Sequence, residues 1–413
     1  MLAGQQGAAG VCAVVLSPVL HGADAPARGL GLSAGAELVR TSFKPGRRLS
    51  AYYRTPVEAG PTRHVAVTWR TRDAGVTVET LTSPSDPALP RLSRLTDPEY
   101  LAALVSALDP GHHMAVARLE VSTVRYRPGQ RHVLLARDGR SGQGYVVKAD
   151  REASGRRATG VARALGDHLH RRGALAEVVE PVGFSERDGA GLWRHSAGSS
   201  LSGLLAAHPA DAAWAVAQVG RASRLVHDEM AAVVDGDTTH GWDTLPRNDI
   251  ETELTATLRA GDHVRVLLPA LGRRFDDLAA TVVDGLAAGD PTPEVFLHGD
   301  LKADNLLVDG GRVRVLDLDR VSRGEAALDL AKFVADLCWW SAPAHRDGLV
   351  SAFRSGYGPG ADDRWRRAER LAALVELRLA ARRCPVHAEG WERRVESLVE
   401  RAAGRLERAE VAR

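Results

Sequence analysis

Cysteine and net charge are both scarce in this chain of 413 residues. Its three cysteines, Cys12, Cys338 and Cys384, are odd in number, far apart and without the spacing of metal ligands. Such a set argues against a disulfide framework and favours a reducing compartment. The net charge of +2 provides no bulk field that would attract nucleic acid or a membrane surface. The composition predicts a cytoplasmic protein that binds neither, and it leaves the oligomeric state open.

Charged side chains are also missing from residues 1–22, which contain no Asp, Glu, Lys or Arg. A signal peptide would need a basic start and a longer apolar core than residues 11–20 provide. Gly4, Gly7 and Gly10 disfavour a membrane helix. We expect this segment to be a partly ordered leader.

The sequence His-Gly-Asp-Leu-Lys-Ala-Asp-Asn at 298–305, followed by Asp-Leu-Asp at 317–319, carries the strongest chemical signal. Phosphoryl transfer from ATP needs a carboxylate that orients a hydroxyl and accepts its proton. It also needs an amide oxygen and a second carboxylate that hold Mg²⁺ on the phosphates. Asp300 is the candidate for the first role, and Asn305 and Asp317 are candidates for the others. The pattern is that of a kinase catalytic loop, with Gly in place of the usual Arg.

The residues after the motif predict a β-hairpin, because apolar runs flank Asp-Gly-Gly at 309–311. A two-residue turn would place Val308 opposite Val313 and Asn305 opposite Leu316. Both proposed metal ligands would then lie side by side at the open end of the hairpin. Asp and Asn are also common turn formers, but motif, spacing and hairpin together favour the catalytic interpretation.

The Gly in this motif makes the chain resemble the aminoglycoside phosphotransferase and small-molecule kinase family rather than the protein kinases. The resemblance covers roughly residues 119–413 and is specific at 298–329. It implies a bilobal α+β, protein-kinase-like fold with an antiparallel β-sheet N-lobe and a mainly helical C-lobe. It also implies transfer of phosphate from ATP, with Mg²⁺, to a small-molecule hydroxyl acceptor. Residues 1–118 would be an N-terminal extension, 119–195 the nucleotide-binding N-lobe, and 196–413 the C-lobe with catalytic loop and acceptor site.

An internal repeat organises the N-terminal third. Phe-Lys-Pro-Gly-Arg-Arg at 43–48 returns as Tyr-Arg-Pro-Gly-Gln-Arg at 126–131, and two strand-like runs follow each copy. Each copy therefore predicts a strand, a Pro-Gly turn and a β-hairpin. We expect the duplicated hairpin to extend one antiparallel sheet, where the first copy would cover an edge.

The second copy supplies the candidate nucleotide contacts. Lys148 ends a strand that resembles the kinase strand whose Lys reaches the phosphates, although a snorkelling surface Lys is the alternative. Trp69 or Thr68 occupies the equivalent place in the first copy. Gly129, in the Pro-Gly turn, would help cover the phosphates through backbone N–H groups. A Gly-x-Gly-x-x-Gly pattern is missing there.

The helix that should carry an acidic partner for Lys148 is predicted over residues 153–172 and contains no Glu. Glu152 at its start is preferred as the partner over Asp167 within it. The linker to the second lobe includes Trp193 and His195, and the resemblance places backbone contacts to adenine there.

Four further residues accompany the motif. Lys302 would offset charge on the transferring phosphate or be a solvated loop residue. Asp319 would assist at the second metal or, as the favoured alternative, cap a turn. Asp329 resembles the family's buried Asp that supports the catalytic loop. His298 would orient the loop in the same way rather than shuttle protons.

Two other functions are compared with a small-molecule kinase. A protein kinase would need an activation segment and an Ala-Pro-Glu signature, but the stretch from Asp317 to Asp329 has no room for them. A nucleotide-binding pseudokinase regulator would usually lack the Asp or Asn of the motif, which are present. Only the missing helix Glu favours it.

The sequence leaves the identity of the acceptor undecided. Residues 228–253 hold eight carboxylates against the single Arg247, which favours a cationic acceptor such as an aminoglycoside-like antibiotic. A charge run is more often a solvated face, and the last fifty residues are rich in Arg. A sugar or other metabolite is the alternative acceptor.

Overall fold

The computed structural model describes residue 32 and residues 35–55, 63–72, 75–150, 154–235, 242–287, 292–309 and 311–411. The candidate leader, Cys12 and Glu152 lie outside these residues. Within them, no helix is both long and apolar enough to cross a membrane.

The first repeat copy forms a four-stranded antiparallel sheet of its own. Its strands, in spatial as in chain order, are β1 (Glu37–Lys44), β2 (Arg48–Thr55), β3 (Arg63–Arg72) and β4 (Gly75–Thr82). Two helices, α1 (Leu92–Leu95) and α2 (Pro98–Leu108), connect it to the second copy.

The segment of the second copy contains β5 (Leu119–Arg127), β6 (Arg131–Asp138), β7 (Gly144–Asp150), α3 (Ser154–Arg171), β8 (Ala176–Val178), β9 (Pro181–Ser185) and β10 (Ala190–Arg194). Five of these strands build one sheet in the order β5-β6-β7-β10-β9. The helix α3 agrees with the helical pattern, with Val161, Leu165 and Leu169 buried.

The expectation of one sheet extended by the duplicated hairpin is wrong, because the two copies form separate sheets. Helices α1 and α2 bury Leu92 and Leu101 in one core with Leu134 and Val147 of the second sheet. The first sheet instead buries Leu49 in the core of the helical lobe. The first sheet is therefore attached to the rest of the protein by packing on the helical lobe and not by strand pairing with the second sheet.

The two Pro-Gly turns share a local conformation, with Gly46 at φ 64° and Gly129 at φ 69°, a region that favours glycine. The register pairs Ser50 with Thr68 in the first copy and Val133 with Lys148 in the second. Thr68 is therefore the position equivalent to Lys148.

The rest of the chain is mainly helical. Its elements are β11 (Ser199–Ser200), α4 (Leu201–Ala207), α5 (Pro209–Asp235), β12 (Arg247–Asn248), α6 (Ile250–Ala260), α7 (Asp262–Leu267), α8 (Pro269–Ala287), β13 (Glu294–Leu297), β14 (Leu306–Asp309), β15 (Arg312–Val315), β16 (Ser322–Glu325), α9 (Ala326–Trp340), α10 (Pro343–Tyr357), α11 (Asp362–Arg383) and α12 (Trp391–Val411). Two small sheets, β11-β14-β15-β8 and β12-β16-β13, carry the loops of the site.

The hairpin β14–β15 has the predicted register. Val308 lies opposite Val313, and the Leu316 N–H donates to the Asn305 carbonyl at 2.8 Å. The prediction that Asn305 and Asp317 meet at the open end of this hairpin is confirmed at the level of the backbone.

The first sheet contacts both lobes. Thr41 Oγ1 lies 2.9 Å from His387 Nδ1 of the helical lobe. On the other side, the His64 ring lies edge-on to Tyr126 of β5, with centroids 6.3 Å apart. The N-terminal extension therefore bridges the two lobes.

Candidate active site

The catalytic loop leaves β13 and is fixed at its start by Asp329 of α9. One carboxylate oxygen of Asp329 accepts from the His298 N–H at 2.7 Å, and the other accepts from the Gly299 N–H at 3.0 Å. Asp329 is 1% exposed. His227 of α5 lies 3.6 Å from the same carboxylate, where it and Lys332 help to hold the Asp329 pKa below its usual value against the opposing effect of burial.

The His298 ring joins the loop to the hairpin that carries the candidate metal ligands. Its Nδ1 accepts from the Asp300 N–H at 3.3 Å, so Nε2 carries the proton and donates to the Leu316 carbonyl at 3.0 Å. Both ring nitrogens are used by the backbone. His298 therefore has the contacts of an orienting residue.

Glycine is required at position 299. Its φ is 76°, and a Cβ there would lie 1.9 Å from the Arg320 carbonyl oxygen. Lys332 of α9 donates to the Gly299 carbonyl at 2.9 Å. This close approach leaves no room for a side chain at position 299.

Asp300 lies at the mouth of the site, with its side chain 35% exposed. Its carboxylate pairs with the Lys302 ammonium, so Lys302 contacts the site rather than bulk solvent. Asn305, 6% exposed, donates from Nδ2 to the Asp300 carbonyl at 2.9 Å. That contact leaves Asn305 Oδ1 available as a ligand.

Asp317 has a strained backbone. Its φ of 59° and ψ of 56° lie in the left-handed region, and among the described residues it alone is a non-glycine with positive φ. Such conformations concentrate at functional sites, where neighbouring structure holds them in place. The strain turns the carboxylate toward Lys148, whose Nζ lies 3.0 Å away.

Asp319 faces the same space rather than capping the turn, which was the favoured alternative. Its side chain is 5% exposed and lies 2.7 Å from Arg131 and 3.6 Å from Lys148. Burial and the hydrogen bond to Asp317 raise the pKa of Asp319 to about 7. Burial acts in the same sense on Asp317, but Lys148, the hydrogen bond to Asp319 and Arg131 together hold its pKa well below the usual range.

The donor atoms suit Mg²⁺. Asn305, Asp317 and Asp319 offer an amide oxygen and two carboxylates, the hard oxygen ligands that this ion prefers. Within the described ranges, no group of three or more His, Cys, Asp or Glu side chains could hold a metal alone. In proteins, Mg²⁺ is usually held by one or two carboxylates together with substrate phosphates.

The acidic partners of Lys148 come from the loop that carries the candidate metal ligands. It pairs with Asp317 and Asp319, whereas Asp167 is exposed on α3 and Glu152 lies outside the described residues. Lys148 Nζ also lies 5.3 Å from the centroid of the Trp193 ring. Trp193 is buried and meets the site through its side chain.

Two predicted nucleotide contacts are engaged elsewhere. The Gly129 N–H donates to Asp86 Oδ2 at 2.7 Å, because the turn is folded onto the linker between the sheets, so this N–H does not face the phosphates as expected. The His195 N–H donates to the Gly144 carbonyl at 2.8 Å. That bond continues the β10–β7 pairing and withdraws this N–H from any adenine contact.

Several residues of the site had not been predicted. They are Asp86, Arg131, His227, Lys332 and Asp336, the last of which accepts from the Ala303 N–H at 2.6 Å. The signal for Arg131 was its place in the second repeat copy. The others are joined to the site only by contacts between distant segments.

The fold and these side chains define a kinase-like phosphotransferase. The family model described as the phosphotransferase enzyme family (APH) matches residues 125–371. Since the match spans more than half of the chain, the protein belongs to this family of phosphotransferases. A search of curated proteins found no match.

Solved structures share the fold at low sequence identity. A choline kinase from Cryptosporidium parvum is 9% identical, with a TM-score of 0.52, over 76% of this chain and 96% of that one. The spectinomycin phosphotransferase APH(9)-Ia, solved with ADP and spectinomycin, is 13% identical, with a TM-score of 0.52, over 74% and 98%. The amicoumacin kinase hAmiN, solved with AMP-PNP and Ca²⁺, is 12% identical, with a TM-score of 0.50, over 75% and 94%.

Proposed function

We propose that the protein transfers the γ-phosphate of ATP, in a Mg²⁺-dependent reaction, to a hydroxyl group of a small molecule. The observation that carries this proposal is the convergence of Asp300, Asn305 and Asp317 on the side of the cleft that faces Lys148. Nucleotides in two of the similar structures, ADP and AMP-PNP, support a nucleotide as the donor.

Each residue has a role in this reaction. Asp300 accepts the proton of the acceptor hydroxyl while the oxygen of that hydroxyl bonds to the γ-phosphorus. The bond between the γ-phosphorus and the oxygen that bridges to the β-phosphate breaks, and ADP leaves. Lys302, already beside Asp300, offsets charge on the transferring group. Lys148 and Arg131 orient the phosphates. Asn305, Asp317 and Asp319 would hold Mg²⁺, which would neutralise charge on the phosphates.

Several carboxylates of the acidic stretch that favoured a cationic acceptor make contacts inside the protein. Asp228 pairs with Arg364 at 2.7 Å and Glu229 with Arg172 at 2.6 Å, while Asp249 caps α6. An aminoglycoside-like acceptor stays a prediction. A cytoplasmic location and the lack of nucleic-acid or membrane partners likewise stay predictions from composition.

Calorimetry with the purified full chain tests the proposal. AMP-PNP should bind with a strong dependence on Mg²⁺, and Lys148→Met should weaken that binding. Slow release of ADP from ATP, abolished in Asp300→Asn, should accompany it. Mg²⁺-dependent binding without any turnover on a broad acceptor panel would support the pseudokinase alternative, and lack of nucleotide binding would reject both.

A further inference from the structure

Asp86 is a buried carboxylate in the linker between the two sheets. Its exposure is 4%, and it precedes residue 125, where the match to the family model begins. Burying a carboxylate costs free energy unless hydrogen bonds compensate it. The groups that Asp86 binds therefore show what this carboxylate stabilises.

Both carboxylate oxygens of Asp86 accept hydrogen bonds. Oδ1 accepts from the Ala88 N–H at 2.9 Å, inside the linker itself. Oδ2 accepts from the Tyr126 hydroxyl and from the Gly129 N–H, each at 2.7 Å. One oxygen therefore holds both the end of β5 and the Pro-Gly turn that follows it.

The Tyr126 side chain is a fixed donor in this arrangement. Burial and the hydrogen bond to Asp86 raise the pKa of Tyr126, so its hydroxyl keeps the proton that it donates. The ring also packs on His132 of β6, with centroids 4.9 Å apart. Packing and hydrogen bonding together hold this end of β5 against the linker.

The linker is in turn attached to the body of the second sheet. The Leu89 N–H donates to the Asp86 carbonyl at 2.9 Å. Leu89 and Leu92 are buried in the same core as Leu134 and Val147 of that sheet. Asp86 is therefore held from within the nucleotide lobe, and it fixes the position of the turn relative to the sheet.

The Pro-Gly turn leads directly into Arg131. The Gln130 N–H donates to the Arg127 carbonyl at 3.0 Å, and Gly129 has the positive φ that the third position of a type II turn requires. Arg131 follows as the first residue of β6. A displacement of the turn would therefore displace the backbone of Arg131.

The Arg131 side chain depends on this backbone position, because it contacts three carboxylates at once. Its guanidinium pairs with Asp150 of β7. It also lies 2.7 Å from Asp319 and 3.5 Å from Asp317, both from the opposite side of the cleft. Arg131 thus extends from the turn to the candidate metal ligands.

We infer that Asp86 is a positioning residue of the nucleotide site, which holds the Pro-Gly turn so that Arg131 reaches the phosphates beside Asp317 and Asp319. This inference rests on the proposed function, in which Arg131 orients the phosphates. Asp86 acts through the turn and does not contact the nucleotide. The linker that follows the first repeat copy thereby contributes to phosphate binding.

A double-mutant cycle on the full chain tests this role. AMP-PNP is titrated with Mg²⁺ by calorimetry into the wild type, Asp86→Asn, Arg131→Gln and the double variant. An amide has one oxygen and cannot replace both acceptors of Asp86. We expect Asp86→Asn to weaken AMP-PNP binding by about tenfold, the size of one lost charge-assisted hydrogen bond. It should add little in Arg131→Gln, because residues that act through the same contact are not additive.

Asp138→Asn is the matched control. Asp138 is also a buried carboxylate, 8% exposed, and it holds the turn at the other end of β6. Its Oδ1 accepts from the Arg140 and Ser141 N–H groups at 2.9 and 2.8 Å. The variant should lose a similar turn contact but bind AMP-PNP like the wild type.

Tyr126→Phe provides a second variant in case Asp86→Asn does not fold. It removes one of the two donors to Asp86 Oδ2 and leaves the contact with Gly129. We expect a smaller loss of AMP-PNP affinity, again only while Arg131 is present.

The outcomes separate the two proposals. Lack of AMP-PNP binding in the wild type would reject the proposed function, and with it the site that Asp86 positions. Binding in the wild type that neither Asp86→Asn nor Tyr126→Phe weakens would overturn the positioning role alone. An equal effect of Asp86→Asn with and without Arg131, or an equal effect of Asp138→Asn, would also overturn it, because the loss would then reflect general destabilisation.

Discussion

Asp300 is the residue on which the proposed chemistry depends most. We expect Asp300→Asn to lower kcat by about a hundredfold or more, since an amide cannot accept the hydroxyl proton and a positioned base typically contributes this much. Folding and AMP-PNP binding should stay nearly normal, because the Asp300 backbone makes the contacts to His298 and Asn305. Turnover is measured as ADP release. Asp304→Asn, an exposed change in the same loop, is the control, and equal turnover of the two variants would remove Asp300 from the mechanism.

The contributions of Asp317 and Asp319 to Mg²⁺ binding can be separated by single substitutions. Asp317→Asn should weaken Mg²⁺-dependent AMP-PNP binding more than Asp319→Asn does, because the Asp317 side chain is 25% exposed, whereas Asp319 is 5% exposed and lies 2.7 Å from Arg131. Asn tolerates the left-handed backbone at position 317, so the comparison reports on charge. Calorimetry with and without Mg²⁺ measures the effect. The opposite order would assign the metal mainly to Asp319.

At the scale of elements, Glu253 joins three helices beneath the catalytic loop. This buried side chain of α6 lies 2.7 Å from Lys332 of α9 and also pairs with Arg378 of α11. Lys332 holds the Gly299 carbonyl. We expect Glu253→Gln to cost roughly 3 kcal/mol in the free energy of unfolding, since it leaves buried cations without their partner. Chemical denaturation measures it, and Glu251→Gln, exposed on the same helix, should change little.

The contribution of Glu253 to the free energy of unfolding should depend on pH. Burial alone would raise the pKa of Glu253, but Lys332 and Arg378 lower it to about 2 from a usual value of 4.5. A depressed folded-state pKa stabilises the fold above the unfolded-state value and loses that effect as the pH falls toward the folded one. The stability gap between wild type and Glu253→Gln should therefore be constant near neutral pH and shrink below about pH 4.5. A gap that grows on acidification would contradict this assignment.

The two repeat copies are also expected to differ in their contribution to ATP binding. Lys148→Met should raise the KM for ATP and lower kcat, since it removes the charge that orients the phosphates. Thr68→Ala, at the equivalent position of the first copy, loses only its contact with Ser50 and should leave the kinetics of ATP use near normal. Steady-state kinetics of ATP use decide it. Normal kinetics of Lys148→Met together with loss of activity in Thr68→Ala would mean that the nucleotide binds at the first copy instead.

At the scale of the whole molecule, the first sheet and the helical lobe share one core. Leu49 of β2 is 2% exposed within that core, so Leu49→Ala should cost about 2–5 kcal/mol. It should also speed hydrogen exchange of helical-lobe amides, because the two parts would unfold together. Val78→Ala, half-exposed on β4 of the same sheet, should stay within roughly 0.5 kcal/mol. Faster exchange confined to the first sheet would show that it unfolds independently.

Local signals in the sequence were sufficient for the catalytic loop, the hairpin and the family. Asp300, Asn305 and Asp317 lie within twenty residues of one another, and a Gly-containing turn sets their register. The bilobal α+β fold followed from the same resemblance. The two repeat copies were readable for the same reason, since each strand–turn–hairpin unit is a contiguous segment.

Contacts between distant segments decided the rest. Whether two hairpins share a sheet depends on which surfaces their apolar faces pack against. Leu49 packs in the core of the helical lobe. Gly299 is required because the Arg320 carbonyl approaches it. The sequence determined which residues we propose for the transfer, because a contiguous loop and hairpin assemble them. Only the tertiary structure brought Arg131 to Asp319 and Lys148 to Asp317, since these contacts join the second sheet to a loop far away in the chain.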